Sequence, residues 1–285
     1  MTGKLLVCLF IVQSVLCASH HFAQGQNEKL DSMQYILETS KNENTKVKIL
    51  IKISEHYERT DLLMSLQYAE QAMELAKQTK TDSLISFAAM NLGNIQFYLG
   101  LLEIAAKNFS LYLELEQKAG NPLAVANACT NLAAIHIQMK NMEEGEKELL
   151  KAKEIFEGYY QTRSDTTPVF QLVTIYNNLG IIYQDQKNYP QAINYYHRGI
   201  SLAQRIPSQI SILANLYNNL GSALLEQRKM SEAYKAFEQA LAIRIDKNDL
   251  KGIASSYRSI ANFLFKNNNY FQSLSFLNKG YNIAK

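Results

Sequence analysis

Tyr176-Asn177-Asn178-Leu179-Gly180 and Tyr217-Asn218-Asn219-Leu220-Gly221 are the same five residues in the same order, 41 positions apart. The likeness runs on past the glycines. Ala192 and Ala233 stand twelve residues later, Tyr196 and Phe237 sixteen later, and the small residues Gly199 and Ala240 nineteen later. The same frame recurs around Ala261, with Tyr257, Ile260, Ser273, Leu277 and Gly280, and around Ala133, with Cys129, Leu132, Gly145, Leu149 and Ala152. A further copy surrounds Gly93, with Ala89, Leu92, Ala105 and Phe109, although Tyr112 is large where the frame asks for a small residue. The weakest copy begins at Ser54 and continues through Tyr57, Ser65, Ala69 and Ala72. The anchors Ser54, Gly93, Ala133, Gly180, Gly221 and Ala261 are therefore 39, 40, 47, 41 and 40 residues apart.

Each unit divides into two stretches whose apolar residues return every three or four positions, as Tyr234, Phe237 and Leu241 do, which is the period of a helix. A unit of this kind is a helical hairpin. Its two helices can cross closely only where neither carries a side chain larger than alanine's, which accounts for the small anchor and its later small partner. Pro122, Pro168, Pro190 and Pro207 all fall at predicted helix starts, where the missing N–H costs nothing. The composition agrees. The 285 residues include 12 Gly and 4 Pro, few for a sheet-rich chain with many tight turns, and the 47% of apolar residues is ample for a core.

An aromatic-x-x-Leu-Gly followed by an alanine, an aromatic and a small residue resembles the tetratricopeptide repeat over residues 45–285, most closely around Gly180 and Gly221. The resemblance implies an all-α, right-handed solenoid of about six helical hairpins. A period near 40 instead of 34 implies longer helices, as in the extended repeats of peptide-binding and signalling proteins. Two departures place polar residues, Gln96 and His136, where the repeat has a large apolar one. The 47-residue interval contains the insertion 158–168, which is expected to lengthen a connecting loop and is the place where the solenoid would divide into two stacks of three.

Residues 1–25 read as an address, followed by a lead-in over 26–44. Lys4 precedes the apolar run Leu5-Leu6-Val7-Cys8-Leu9-Phe10-Ile11-Val12, which reaches Leu16 with interruptions at Gln13 and Ser14. A basic start and a short apolar run predict a secretory signal and a periplasmic or other extracytoplasmic destination. The run is short of the roughly 20 apolar residues of a membrane span, and Leu16 before Cys17 does not suit lipid attachment. Cleavage after Ser19, Ala23 or Gly25 would each follow a small residue. Removal of this segment takes Cys8 and Cys17 with it and leaves Cys129, whose apolar helical setting predicts a buried thiol and no disulfide.

No catalytic constellation, metal-ligand spacing or phosphate-binding glycine loop is present among the five histidines and the acidic residues, so neither an enzyme nor a cofactor is expected. A net charge of +3, from 29 basic and 26 acidic residues, predicts no nucleic-acid partner. No membrane contact is expected of the repeats. What remains is a surface. The first helix of each hairpin lines the inner face of a solenoid, and the side opposite its Leu-Gly seam carries Asn94, Asn127, Asn177, Asn215, Asn218, Arg258 and Asn262 as candidate ligand contacts. An amide offers both a donor and an acceptor to the backbone of an extended protein or peptide. The alternative is that such amides, Asn91, Asn131, Asn178 and Asn219 above all, bridge neighbouring helices within the stack.

The expected function is a non-catalytic, exported scaffold for a peptide or protein segment. Its alternative is the extracytoplasmic sensory input region of a larger signalling protein, with a histidine kinase or DNA-binding output in further domains of the polypeptide. The final helix is expected to pack Phe271, Leu274, Leu277 and Tyr281 inward and to turn Phe276, Ile283 and Ala284 toward a next unit, in a longer chain or a second one.

Overall fold

The computed structural model describes residues 28–162, 167–205 and 210–285. The predicted secretory signal, with Cys8, Cys17, His20 and His21, and also Pro207, lie outside the described residues. Among those described, every regular element is an α-helix and none is a strand. The chain divides after Gly120 into two compact units.

The first unit holds α1 (28–39), α2 (Glu43–Tyr57), α3 (Leu62–Thr79), α4 (Asp82–Tyr98) and α5 (Leu102–Ala119). The lead-in is thus largely helical: Met33 of α1 is buried with Ile49 and Ile53 of α2. α2 pairs with α3 and α4 with α5, and α3 packs on α4. Where the frame places Ser54 and Ser65 instead of alanines, their hydroxyls lie inside the hairpin. Ser54 Oγ donates to the Ser65 carbonyl at 2.9 Å and Ser65 Oγ to the Ser54 carbonyl at 2.8 Å, so two buried polar side chains leave no donor unpaired.

The second unit holds α6 (Pro122–Gln138), α7 (Met142–Thr162), α8 (Thr167–Asp185), α9 (Tyr189–Ala203), α10 (Ile210–Glu226), α11 (Met230–Asp246), α12 (Leu250–Lys266) and α13 (Tyr270–Ala284). These form four hairpins stacked in chain order, the second helix of each seated on the first helix of the next. The six hairpins of the two units are the six predicted repeats. The small anchors do what close crossing requires. A Cβ on Gly221 would stand 2.8 Å from the Phe237 ring, and one on Gly180 only 2.3 Å from that of Tyr196, both far inside van der Waals contact.

The insertion at 158–168 lies inside the second unit and is taken up mostly as helix. α7 continues through Gly158 to Thr162, giving 21 residues, and α8 resumes at Thr167. A single interior glycine costs only about 1 kcal/mol relative to alanine and does not end a helix that is supported by packing. Three of the prolines behave as predicted. Pro122 and Pro190 occupy the first turns of α6 and α9, behind the capping side chains of Asn121 and Asn188, and Pro168 is the second residue of α8.

The reversals between helices use residues with no obvious turn signal. Lys80, Lys140, Lys187, Arg228, Asn248 and Asn268 take left-handed backbone with φ between 51° and 66°, alongside Gly100 and Gly120. At each, the residue just past the helix returns its N–H to a carbonyl of the last turn, as Lys187 does to Gln184 and Asn188 to Tyr183. Basic side chains at a helix C-terminus also face its negative dipole end, which offsets part of the left-handed cost.

Candidate peptide-binding face

Within the second unit the first helices of successive hairpins touch, α6 with α8, α8 with α10 and α10 with α12, while the second helices have no comparable packing among themselves. Closer spacing on one side makes the stack curve toward that side. The first helices therefore line its inner surface, and the side opposite each Leu-Gly seam is turned away from the core.

Asn127 on α6, Asn177 on α8 and Asn218 on α10 are partly buried there, whereas Asn215 on α10 and both Arg258 and Asn262 on α12 are exposed. Asn94 belongs to the first unit, where it is partly buried on α4. Thr130 on α6 and Leu225 on α10 are buried and offer nothing to a ligand.

The amides divide into two kinds. Asn219 Nδ2 donates to Asn177 Oδ1 at 2.9 Å, from α10 across to α8, and Asn177 Nδ2 donates to Asn178 Oδ1 at 3.3 Å. These three bridge neighbouring hairpins within the stack. Asn215 is likewise engaged: its Oδ1 accepts from Arg244 Nη2 at 2.7 Å. Asn218 differs. Its Oδ1 is closed off from water and accepts no hydrogen bond. A buried acceptor without a donor costs on the order of 1–3 kcal/mol, recovered by any N–H brought to it.

Arg244 was not among the residues singled out from the sequence. It stands on α11 where the preceding repeat has Ala203, and it is 7% exposed. Its Nη1 donates to the Gly252 carbonyl at 3.1 Å and to Ser256 Oγ at 2.7 Å, so one guanidinium ties α10, α11 and α12 together. Burial lowers its pKa and the Asp249 carboxylate opposes that shift. A lone basic residue at the repeat position that holds Ala203 and Ala284 in the neighbouring units is the signal that would have found it.

A second feature lies among α7, α8 and α9. There a cleft of about 540 Å³ is lined by Glu157, Tyr160, Leu172, Tyr176, His197 and Arg198. Arg198 lies over the Tyr176 ring at 4.4 Å, and its Nη2 donates to Glu157 Oε1 and to Tyr176 Oη, both at 2.7 Å. Tyr176 in turn donates to Glu157 at 2.5 Å, and burial followed by this carboxylate raises its pKa well above the ordinary phenol value. The guanidinium is thus already closed by its own protein's carboxylate.

Gln96 and His136, the polar departures from the repeat, meet different fates. Gln96 is buried and accepts from Asn108 Nδ2 at 2.7 Å, while His136 Nδ1 is buried without a partner. Cys129 is a buried free thiol. Among the described residues no cluster of three or more His, Cys, Asp or Glu side chains could hold a metal ion, and no helix is long and apolar enough to cross a membrane.

Residues 171–246 and 126–159 match tetratricopeptide repeat profiles, which places the recognised repeats on α6, α7 and α8 through α11. No curated protein matches the sequence. Among solved structures, the apo quorum sensor NprR from B. thuringiensis is 13% identical over 96% of this chain and 86% of its own, with a TM-score of 0.61. A Rap protein complexed with Competence and Sporulation Factor is 13% identical over 92% of this chain and 76% of its own, with a TM-score of 0.68. Aspartyl phosphate phosphatase F from Bacillus subtilis is 15% identical over 91% and 68%, with a TM-score of 0.69. At these identities the likeness is one of fold: a helical-repeat solenoid of the tetratricopeptide type.

Proposed function

We propose that the protein is a non-catalytic scaffold whose second unit holds an extended peptide or protein segment against α6, α8, α10 and α12. The observation that carries this is Asn218 Oδ1, a buried acceptor without a donor on a partly exposed side chain of the inner face, which rotation of the amide would present to a ligand. A segment in extended form presents a backbone N–H at every second residue on one side, the donor this site lacks. Asn127 on α6 and Asn262 on α12 add further amides on the same side of their helices, and Arg258 is the one full charge among the residues named. Two solved relatives in fold support the same class of ligand, since one is named a quorum sensor and the other was solved with a named factor bound.

The leader at 1–25 supports an exported protein, and a quorum sensor among its relatives in fold favours the alternative of a sensory input region within a larger signalling polypeptide. Selection of random peptides displayed on phage tests the binding role. Enriched peptides should compete with one another for a single site and lose affinity when Asn218 is replaced by Ala. Enrichment of peptides indifferent to Asn218→Ala, Asn127→Ala and Arg258→Ala would place binding elsewhere.

A further inference from the structure

α13 presents to solvent the face that its sequence period would have sent inward. Phe271 is 86% exposed, Leu274 59%, Leu277 46% and Tyr281 66%, while Ser273 and Gly280 are buried and Phe276 packs on Tyr257 of α12 with ring centroids 5.7 Å apart. The small frame residues, not the large apolar ones, meet the first helix of the hairpin, because only they let the two backbones approach.

The earlier hairpins show what such a face does. Tyr234 and Phe237 of α11 occupy the positions that Leu274 and Leu277 hold in α13, and both pack on Phe263 of α12, at 5.3 and 6.3 Å. Tyr196 of α9, at the position of Phe237, is fully buried against Gly180 of α8. In α13 the equivalent apolar row stands open.

We infer that this row is the interface of a symmetric dimer, in which α13 of one copy lies antiparallel on α13 of a second. Three observations select a second copy of this chain. The row is nearly self-complementary: reversing it about positions 275–276 sets Phe271 opposite Tyr281 and Leu274 opposite Leu277 to within one residue, so aromatics meet aromatics and leucines meet leucines. No charge lies on it. α13 contains no acidic residue, its Lys279 is drawn aside over the ring of Phe276 at 4.8 Å, and Lys251 and Arg258 of α12 border the row beside Leu277 and Tyr281. The exposed part of these side chains, with Tyr270 at the edge, amounts to about 600 Å² per copy, given about 150–250 Å² for each buried aromatic. A pair would bury about 1,200 Å², the lower end of specific interfaces, which fits a reversible dimer.

Sedimentation velocity of the purified protein tests the inference. Mass should rise from the 32.4 kDa monomer toward twice that value with concentration, with a dissociation constant of about 10 µM. Leu274→Glu and Leu277→Lys should each weaken association at least about tenfold, and mixing the two variants should restore it, since the glutamate of one copy then faces the lysine of the other. Phe271→Ser serves as a variant whose side chain is too exposed to matter for folding, and circular dichroism checks that all remain helical. A wild type that stays monomeric to about 200 µM, or a mixture that associates no better than either variant alone, would overturn the dimer and leave the face to a different occupant.

Discussion

The ring of Tyr196 fills the space where Gly180 lacks a side chain: its Cε1 lies 2.3 Å from the position a Cβ would take. Sixteen residues separate the two in sequence, and the same pair recurs as Gly221 with Phe237 and, at 3.0 Å, as Gly93 with Phe109. Sequence, repeat and packing meet in this one contact. The glycine is small because the ring is there, and the ring is buried because the helices come that close.

Gly180→Ala should therefore destabilise the protein by about 1–3 kcal/mol through overpacking, and Gly93→Ala by less, because its added atom stands farther from the ring. Gly158 offers the control. A Cβ there meets nothing within 4 Å, and the residue lies inside α7, so Gly158→Ala should stabilise by about 0.5–1 kcal/mol. Urea denaturation followed by circular dichroism measures all three. Equal effects at Gly180 and Gly158 would contradict the packing account.

Adjacent amides on α10 should respond in opposite ways. Asn219→Ala removes the donor that bridges to Asn177 and should cost about 1 kcal/mol, whereas Asn218→Ala deletes a buried acceptor that has no partner and should leave the melting temperature unchanged or raise it. Thermal melts of the two variants decide the matter. A large loss at Asn218 would mean that its amide serves the fold and not a ligand.

Alkali should unfold the protein. Burial, aided by the Glu148 carboxylate, raises the Cys129 thiol from 9.0 to about 12, and burial, aided by Glu116, raises the Tyr112 phenol from 10.0 to about 12. In both groups the folded state holds the proton more tightly than the unfolded chain does. Their contribution is full below about pH 9 and is lost as pH rises toward about 12. The melting temperature should fall steadily from pH 9 upward, and Cys129→Ser should flatten that fall. At pH 8 the native thiol should react with an alkylating reagent far more slowly than in the unfolded chain.

The six hairpins are legible in the sequence because a close helix crossing is a steric demand that repeats with the fold, and steric demands leave small residues at fixed intervals. The turns are harder to read. Lys140, Lys187 and Arg228 adopt left-handed backbone that helix-end hydrogen bonds enforce, so glycine and proline alone undercount the reversals. The insertion at 158–168 read as loop because Gly158 and polar residues suggest one, yet packing carries α7 through Gly158. The largest apolar residues of α13 point the reading of that helix the wrong way, since Ser273 and Gly280 mark its inward face.

Of the candidate site, the residue positions were legible and the partners were not. Period places Asn177, Asn215 and Asn218 on one side of their helices. Which of them is spent on the stack depends on Asn219 and Arg244, one a hairpin away and the other on the next helix. No spacing rule contains that information.

On the proposed function an extended segment binds the inner face of the second unit through amides with little help from charge. Calorimetric titration of a display-selected peptide into the protein at about 50 and 500 mM salt tests it most directly. With Arg258 as the one full charge among the residues named for the face, the dissociation constant should change less than about threefold between the two, and Asn127→Ala with Asn218→Ala together should weaken binding by roughly 1–3 kcal/mol. A salt-dependent affinity, or one that the double variant leaves intact, would contradict it.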